Sequence, residues 1–183
     1  TMRARISQLH RTEAEWNKIS IGSNNEDLTS ANIHFLGEET AKIIASGKCG
    51  DNVTWTLYED GLLEIEGTGA MTDYNSSTNA PWYSYHSSVK TVNIQKGVTS
   101  IGNNAFAGTA IKTLVMPENL TYIGSYAFAN SQLETVLTNQ KIEVIGDYAF
   151  FNCKLSQINL PSTLIQLGEG AYAKNNIQNV VSN

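Results

Sequence analysis

Apolar residues in the second half of the chain keep one interval. Ile101, Ile123, Ile145 and Leu167 follow one another 22 residues apart, each with a glycine directly after it. Five residues beyond each lies an aromatic ring: Phe106, Phe128, Phe150 and Tyr172. The same phase holds for Val98, Leu120, Ile142 and Leu164, and further back for Val92, Leu114, Val136, Ile158 and Val180. It also holds for Val89, Ile111, Leu133, Leu155 and Ile177, with polar residues filling the gaps. A periodicity kept at this many positions identifies a repeat protein. Each copy opens with L-x-x-V-x-I, which predicts a short strand with one apolar face. The second part bends at Gly102, Gly124, Gly146 and Gly168, where a Cβ is expected to hinder the turn. A lone copy cannot bury its apolar face, so neighbouring copies are expected to stack and pair their strands.

The pattern changes before residue 89. Residues 52–67, NVTWTLYEDGLLEIEG, alternate as a hairpin should, with Trp55 and Leu57 matching Leu63 and Ile65 across an Asp60-Gly61 turn. PWYSYHSS, residues 81–88, predicts a helical turn that buries Trp82. Near the start, Thr12 and Glu15 form a capping box for a short helix carrying Trp16 and Ile19, and SANIHF (30–35) predicts a strand. The expected organisation is residues 1–45 as a separate segment, 46–88 as an N-terminal cap, and 89–183 as four full copies with a truncated fifth. In that reading the last copy has no cover, and uncovered strands invite an end-to-end dimer through residues 155–183.

Composition narrows the function. Charged residues make up 16% of the 183, below the usual quarter or so, and the net charge of −5 comes with no basic stripe. That counts against a nucleic-acid surface. Residues 46–88 set Lys48 against Asp51, Glu59, Asp60, Glu64, Glu66 and Asp73, and supply the whole acidic excess. No stretch predicts a membrane span, and TMRARISQLH is not a signal peptide. Cys49 and Cys153 lie far apart and form neither a disulfide framework nor a metal motif. His10, His34 and His86 have no nucleophile or ligand spacing beside them. Asp60, Glu64 and Glu66 could hold Ca²⁺, yet no D-x-D-x-D-G loop accompanies them. GTGAMT (67–72) and GEGAYA (168–173) leave the phosphate-loop pattern incomplete and read as turns. No catalytic centre, metal or cofactor is expected.

Two surfaces remain. The outward strand positions are Thr91 and Asn93, Thr113 and Val115, Thr135 and Leu137, and Gln157 and Asn159. This face is uncharged, and Val115 and Leu137 neighbour each other in successive copies. Such extended faces bind partners in repeat proteins, although β-favouring residues on any sheet surface would look the same. The second is a glycan patch on the cap, with Trp82, Tyr83 and Tyr85 stacking on sugars, which needs at least two exposed rings. Tyr126 and Tyr148, one copy apart, read as packing.

TLVMPENLTYIGSYAFAN and QINLPSTLIQLGEGAYAK carry Pro117 and Pro161 at matching places, and AFFNC carries Cys153. This pattern resembles the BspA-like leucine-rich repeats. The resemblance implies an α/β fold: a right-handed solenoid of 22-residue rungs, short parallel strands plus turns or short helices, with an N-terminal β-hairpin cap. It departs at Thr138, an apolar strand position, and at Gly170 and Tyr172 in the last copy. SGKCGDNVTWTL and the motifs after it are similar to the lead-in to such arrays in large bacterial surface proteins, and TEAEWNKISIGSNNEDLTSANIHF is similar to the segment that closes one, which implies that residues 1–45 are the tail of a preceding module or a linker. The implied function is a non-catalytic, extracellular binding or adhesion module, cell-surface or secreted. Its expected partner is a host or cell-surface protein, extracellular matrix included, or a glycan, with no nucleic acid and no membrane insertion. A carbohydrate-binding module and a structural spacer are the alternatives.

Overall fold

The computed structural model describes residues 42–182. The capping box at Thr12, Trp16, Ile19, the strand expected at 30–35, His10 and His34 lie outside them. The described residues hold short strands, two single-turn 3-10 helices (Ser77–Asn79 and Tyr83–Tyr85) and no α-helix.

The hairpin forms where alternation predicts it. β2 (Val53–Tyr58) and β3 (Leu62–Gly67) run antiparallel, with Trp55 opposite Ile65 and Leu57 opposite Leu63. All four of these side chains are buried. Gly61 takes φ +92° in the turn, and Asp60 Oδ1 accepts the Leu62 N–H at 3.0 Å. Outside β2 runs β1 (Ile43–Lys48), also antiparallel and irregular between Ile43 and Ala45. It straddles residue 45, and its sequence IIASGK shows no alternation because nearly all of it is exposed.

Beyond the hairpin the pairing turns parallel. After β4 (Gly69–Ala70) come β5 (Thr91–Ile94) and β6 (Val98–Ile101). The copies that follow supply β7 (Thr113–Val115), β8 (Tyr122–Ile123), β9 (Thr135–Leu137) and β10 (Val144–Ile145). β11 (Gln157–Leu160), β12 (Gln166–Leu167) and β13 (Asn179–Ser182) complete the order. β3 pairs with β5, setting Leu63 against Val92 and Ile65 against Ile94, so the hairpin's second strand occupies the place of a preceding copy. β7 pairs with β9 and β11 with β13, each residue facing the one 22 positions on. β5 lies beside β7, and β9 beside β11.

A second parallel ladder, absent from the sequence reading, runs β4-β6-β8-β10-β12 and aligns Ile101, Ile123, Ile145 and Leu167. Its strands in the later copies are two residues long, too short for alternation to be read.

Between the ladders runs a column of rings. Trp82, Phe106, Phe128, Phe150 and Tyr172 stack in sequence, with centroids 5.3, 5.3, 5.3 and 5.1 Å apart. Ala105, Ala127, Ala149 and Ala171, all buried, leave room for that spacing. Polar side chains bridge copies at the same interval. Asn103 Oδ1 accepts the Ser125 N–H at 2.6 Å, Asp147 Oδ1 accepts that of Glu169 at 2.8 Å, and Asn152 donates to Asn130 at 2.8 Å. Two of these three bridges come from neutral side-chain amides, in keeping with the low charge content.

A Cβ is hindered at the repeated glycines as expected, but the cause is close approach of backbone and not the turn itself. Gly102, Gly124, Gly146 and Gly168 do not take positive φ. They are glycines because backbone of the preceding copy, or for Gly102 that of Thr72 in the cap, lies where a Cβ would sit. The left-handed residues come two positions later: Asn104, Tyr126, Tyr148 and Gly170, at φ 57°, 57°, 53° and 56°.

Candidate binding face

The predicted face is built by strand alternation. Val92 and Leu114 point inward and are buried, and Val136 and Ile158 are partly buried against the same core. The residues flanking them therefore point out. Thr91, Asn93, Thr113, Val115, Thr135, Leu137 and Gln157 are exposed, and Asn159 is half-buried. Register places Val115 directly opposite Leu137, and Thr113 opposite Thr135. Val115 is 58% and Leu137 56% exposed, an apolar pair in the middle of a polar face. Lys112 and Glu134, 3.7 Å apart, sit just before Thr113 and Thr135.

Toward the cap, Asn93 Nδ2 donates to Glu64 Oε1 at 3.2 Å, and the Tyr58 hydroxyl donates to Glu64 Oε2 at 3.0 Å. The repeat face and the hairpin face are therefore one surface, a continuity that sequence alone did not reveal. Asn93 faces Glu64 across 29 residues of chain, and only the parallel pairing of β3 with β5 shows it.

The aromatic patch on the cap is corrected. Trp82 is 1% exposed, donates its indole N–H to the Ala105 carbonyl at 2.8 Å, and has Trp55 and Tyr74 edge-on against it. It has no face to offer a sugar. Tyr85 is half-buried, and the exposed Tyr83 stacks on His86 with centroids 5.0 Å apart. Tyr126 and Tyr148 do pack together at 5.1 Å, and Tyr148 donates to Glu169 at 2.8 Å.

The other candidates dissolve into structure. In GTGAMT, the N–H groups of Thr68, Gly69, Met71 and Thr72 are all donated to backbone carbonyls, leaving no cradle for a phosphate. Asp60 and Glu64 already accept hydrogen bonds, and among the described residues no three acidic, histidine or cysteine side chains are grouped to hold a metal. Nor is any helix among them long and apolar enough to cross a membrane.

Both thiols are buried. Cys153 sits between Ser131 and the Phe128 carbonyl, and burial raises its pKa against the lowering effect of Ser131. Burial pushes Cys49 up to about 12. A thiol whose folded pKa exceeds its unfolded one adds stability below the unfolded value, and that stability is lost as pH rises toward the folded value. Stability should therefore decline between about pH 9 and 12, and Cys49→Ala should flatten the decline. Urea midpoints across that range, for both proteins, check this; identical slopes would remove Cys49 as a cause.

Comparison with known proteins follows the geometry. The family model for the BspA type leucine rich repeat region matches residues 76–182 in six copies. A leucine-rich repeat protein from Eubacterium ventriosum, known as a crystal structure, superposes with TM-score 0.68 at 25% identity. That match covers 74% of this chain and 39% of the other, so the chain spans well under half of its neighbour's length. A leucine rich cell surface protein from Faecalibacterium prausnitzii aligns at 15% identity and TM-score 0.41, over 75% of this chain and 54% of that one, too remote to carry an argument. No curated protein matches.

Proposed function

Because the chain belongs to the BspA-type leucine-rich repeat family, we propose that it is a non-catalytic, extracellular protein-binding or adhesion module of a bacterial surface or secreted protein. In this reading residues 89–183 form a right-handed solenoid of 22-residue rungs, and residues 46–88 cap it. The partner is a host or cell-surface protein of the extracellular-matrix kind, held on the outer face of β5, β7, β9 and β11. The observation that carries the reading is the Val115 and Leu137 pair, exposed side by side on a face without charge on those strands. A soluble protein gains by covering such a patch. Solenoids expose faces of this kind to their ligands.

Binding to immobilised matrix proteins and glycans tests it, with Val115→Lys/Leu137→Lys alongside. Each apolar side chain contributes on the order of 1.5 kcal/mol or more when covered, so the double variant should bind a protein ligand at least about tenfold more weakly. Glycan binding untouched by the double variant would overturn the assignment, and no binding at all would favour a spacer. The variant's own fold should be intact, since neither side chain contributes to the core.

A further inference from the structure

The binding face is polar at one end, and that polarity bears on the chemistry of the partner. β2 and β3 present Thr56, Glu64 and Glu66 on the same surface on which β5, β7 and β9 present Asn93, Val115 and Leu137. Glu64 is held in place by Tyr58 and Asn93, both neutral donors. The Glu66 side chain is exposed and, among the described residues, makes no hydrogen bond or ion pair. The ion pairs among the described residues are Lys42–Glu59 and Lys112–Glu134, so neither Glu64 nor Glu66 is paired with a cation of those residues. Negative charge with no ion pair among the described residues thus lies on the same sheet face as an apolar pair, two strands from it.

We infer that the occupant of this face is an extended polypeptide segment that crosses the strands, with a basic side chain over Glu64 and Glu66 and an apolar side chain over Val115 and Leu137. The inference rests on the protein-binding reading and names the partner's chemistry. Geometry sets the spacing. Glu64, Asn93, Val115 and Leu137 occupy one row on adjacent strands, since Glu64 faces Asn93 and Val115 faces Leu137. Strands lie about 4.8 Å apart, which puts the middle of the apolar pair about 12 Å from Glu64. In an extended segment, residues about four positions apart project to the same side and lie about 13 Å apart. A Lys or Arg and a large apolar residue four positions away therefore reach both ends of the row together. A glycan carries no cation for Glu64 and Glu66, and an acidic segment is repelled by them.

The test is an array of Gly/Ser dodecapeptides carrying one Arg and one Phe, with their separation varied residue by residue in both orders. Binding of the intact chain should peak at a separation of about four in one order. It should weaken with added salt. Glu64→Gln/Glu66→Gln should reduce it about two- to fivefold and remove most of the salt dependence, as expected for exposed charge pairs. Glu66→Gln alone, at an exposed side chain, should show part of the same effect with the fold undisturbed. Val115→Lys/Leu137→Lys should abolish the peak.

A signal that does not depend on separation overturns the inference, as does a peak unmoved by the glutamine variants. Failure of the two ideas can be told apart. A matrix protein that loses binding in the lysine variant but ignores salt and the glutamine variants overturns this inference and leaves the protein-binding reading standing. Absence of any protein or peptide binding removes both.

Discussion

Replacing Trp82 with alanine should destabilise the fold by about 3–5 kcal/mol, the range for truncating a buried tryptophan. Several effects converge on this side chain. Its ring is fully buried and stacks on Phe106 at 5.3 Å, at the head of the aromatic column. Such pairs add about 0.5–1.5 kcal/mol beyond the area they bury. Its indole N–H is donated to Ala105, and truncation leaves that carbonyl in the core without its donor. Trp55, edge-on at 5.7 Å, loses its neighbour as well. Trp82 therefore supplies the ring that a preceding copy would have placed against Phe106, and its loss opens the first copy's core to water. Because each copy contacts mainly its neighbours, the damage should start locally. Hydrogen exchange should rise first in β5 and β6 and last in β10 and β12. Trp82→Phe keeps a ring on Phe106 but loses the hydrogen bond, and should cost about 1–3 kcal/mol. Urea denaturation followed by circular dichroism measures both; a cost under about 1 kcal/mol for the alanine would mean the column does not depend on its first ring.

What the sequence made legible was set by where side chains face a core. Val92 and Leu114, like Trp55 and Leu57, alternate with exposed residues because one side of each strand is wet, so their faces could be read without coordinates. β1 escaped that reading because it has no buried face to impose a pattern. The ladder through Ile123 and Ile145 escaped because a two-residue strand is defined by its neighbours' hydrogen bonds and leaves no period in its own residues. Trp82 was expected in a buried turn and also weighed as a sugar platform, and only the column of rings decides between them. The candidate face was half legible. Its outward residues follow from alternation, whereas its continuation through Asn93 to Glu64 depends on a hairpin strand standing in for a copy of the repeat. Tyr126 and Tyr148 carry no local signal for their left-handed backbone, which asparagine and glycine adopt more readily in the copies before and after them.

Gly146→Ala should cost on the order of 3 kcal/mol, and the reason is packing between copies. Where backbone geometry suits alanine, this exchange ordinarily stabilises by about 0.4–1 kcal/mol, because it restricts the unfolded chain. Gly146 is not in the left-handed region, so its backbone accepts alanine and a gain would be the first expectation. The sign reverses because a Cβ there would lie 2.6 Å from the Ser125 nitrogen and 2.8 Å from the Gly124 carbonyl carbon. Both are backbone atoms of the neighbouring copy, and neither can swing aside as a side chain does. Relief requires the two copies to separate, which stretches the β8–β10 pairing and the contact of Phe128 with Phe150 at 5.3 Å. Gly108 is the matched control. It takes φ +73° and a Cβ there meets nothing, so its constraint is conformational alone. Asn130 and Asn152 hold the equivalent place in later copies at φ 60° and 52°, so Gly108→Asn should change stability by less than about 0.5 kcal/mol. Urea midpoints for the two variants separate the explanations. A large loss at Gly146 with near-neutrality at Gly108 assigns the repeated glycine to close approach between copies. Equal losses at both would return it to the turn, and a gain at Gly146 would mean that the copies can move apart at little cost.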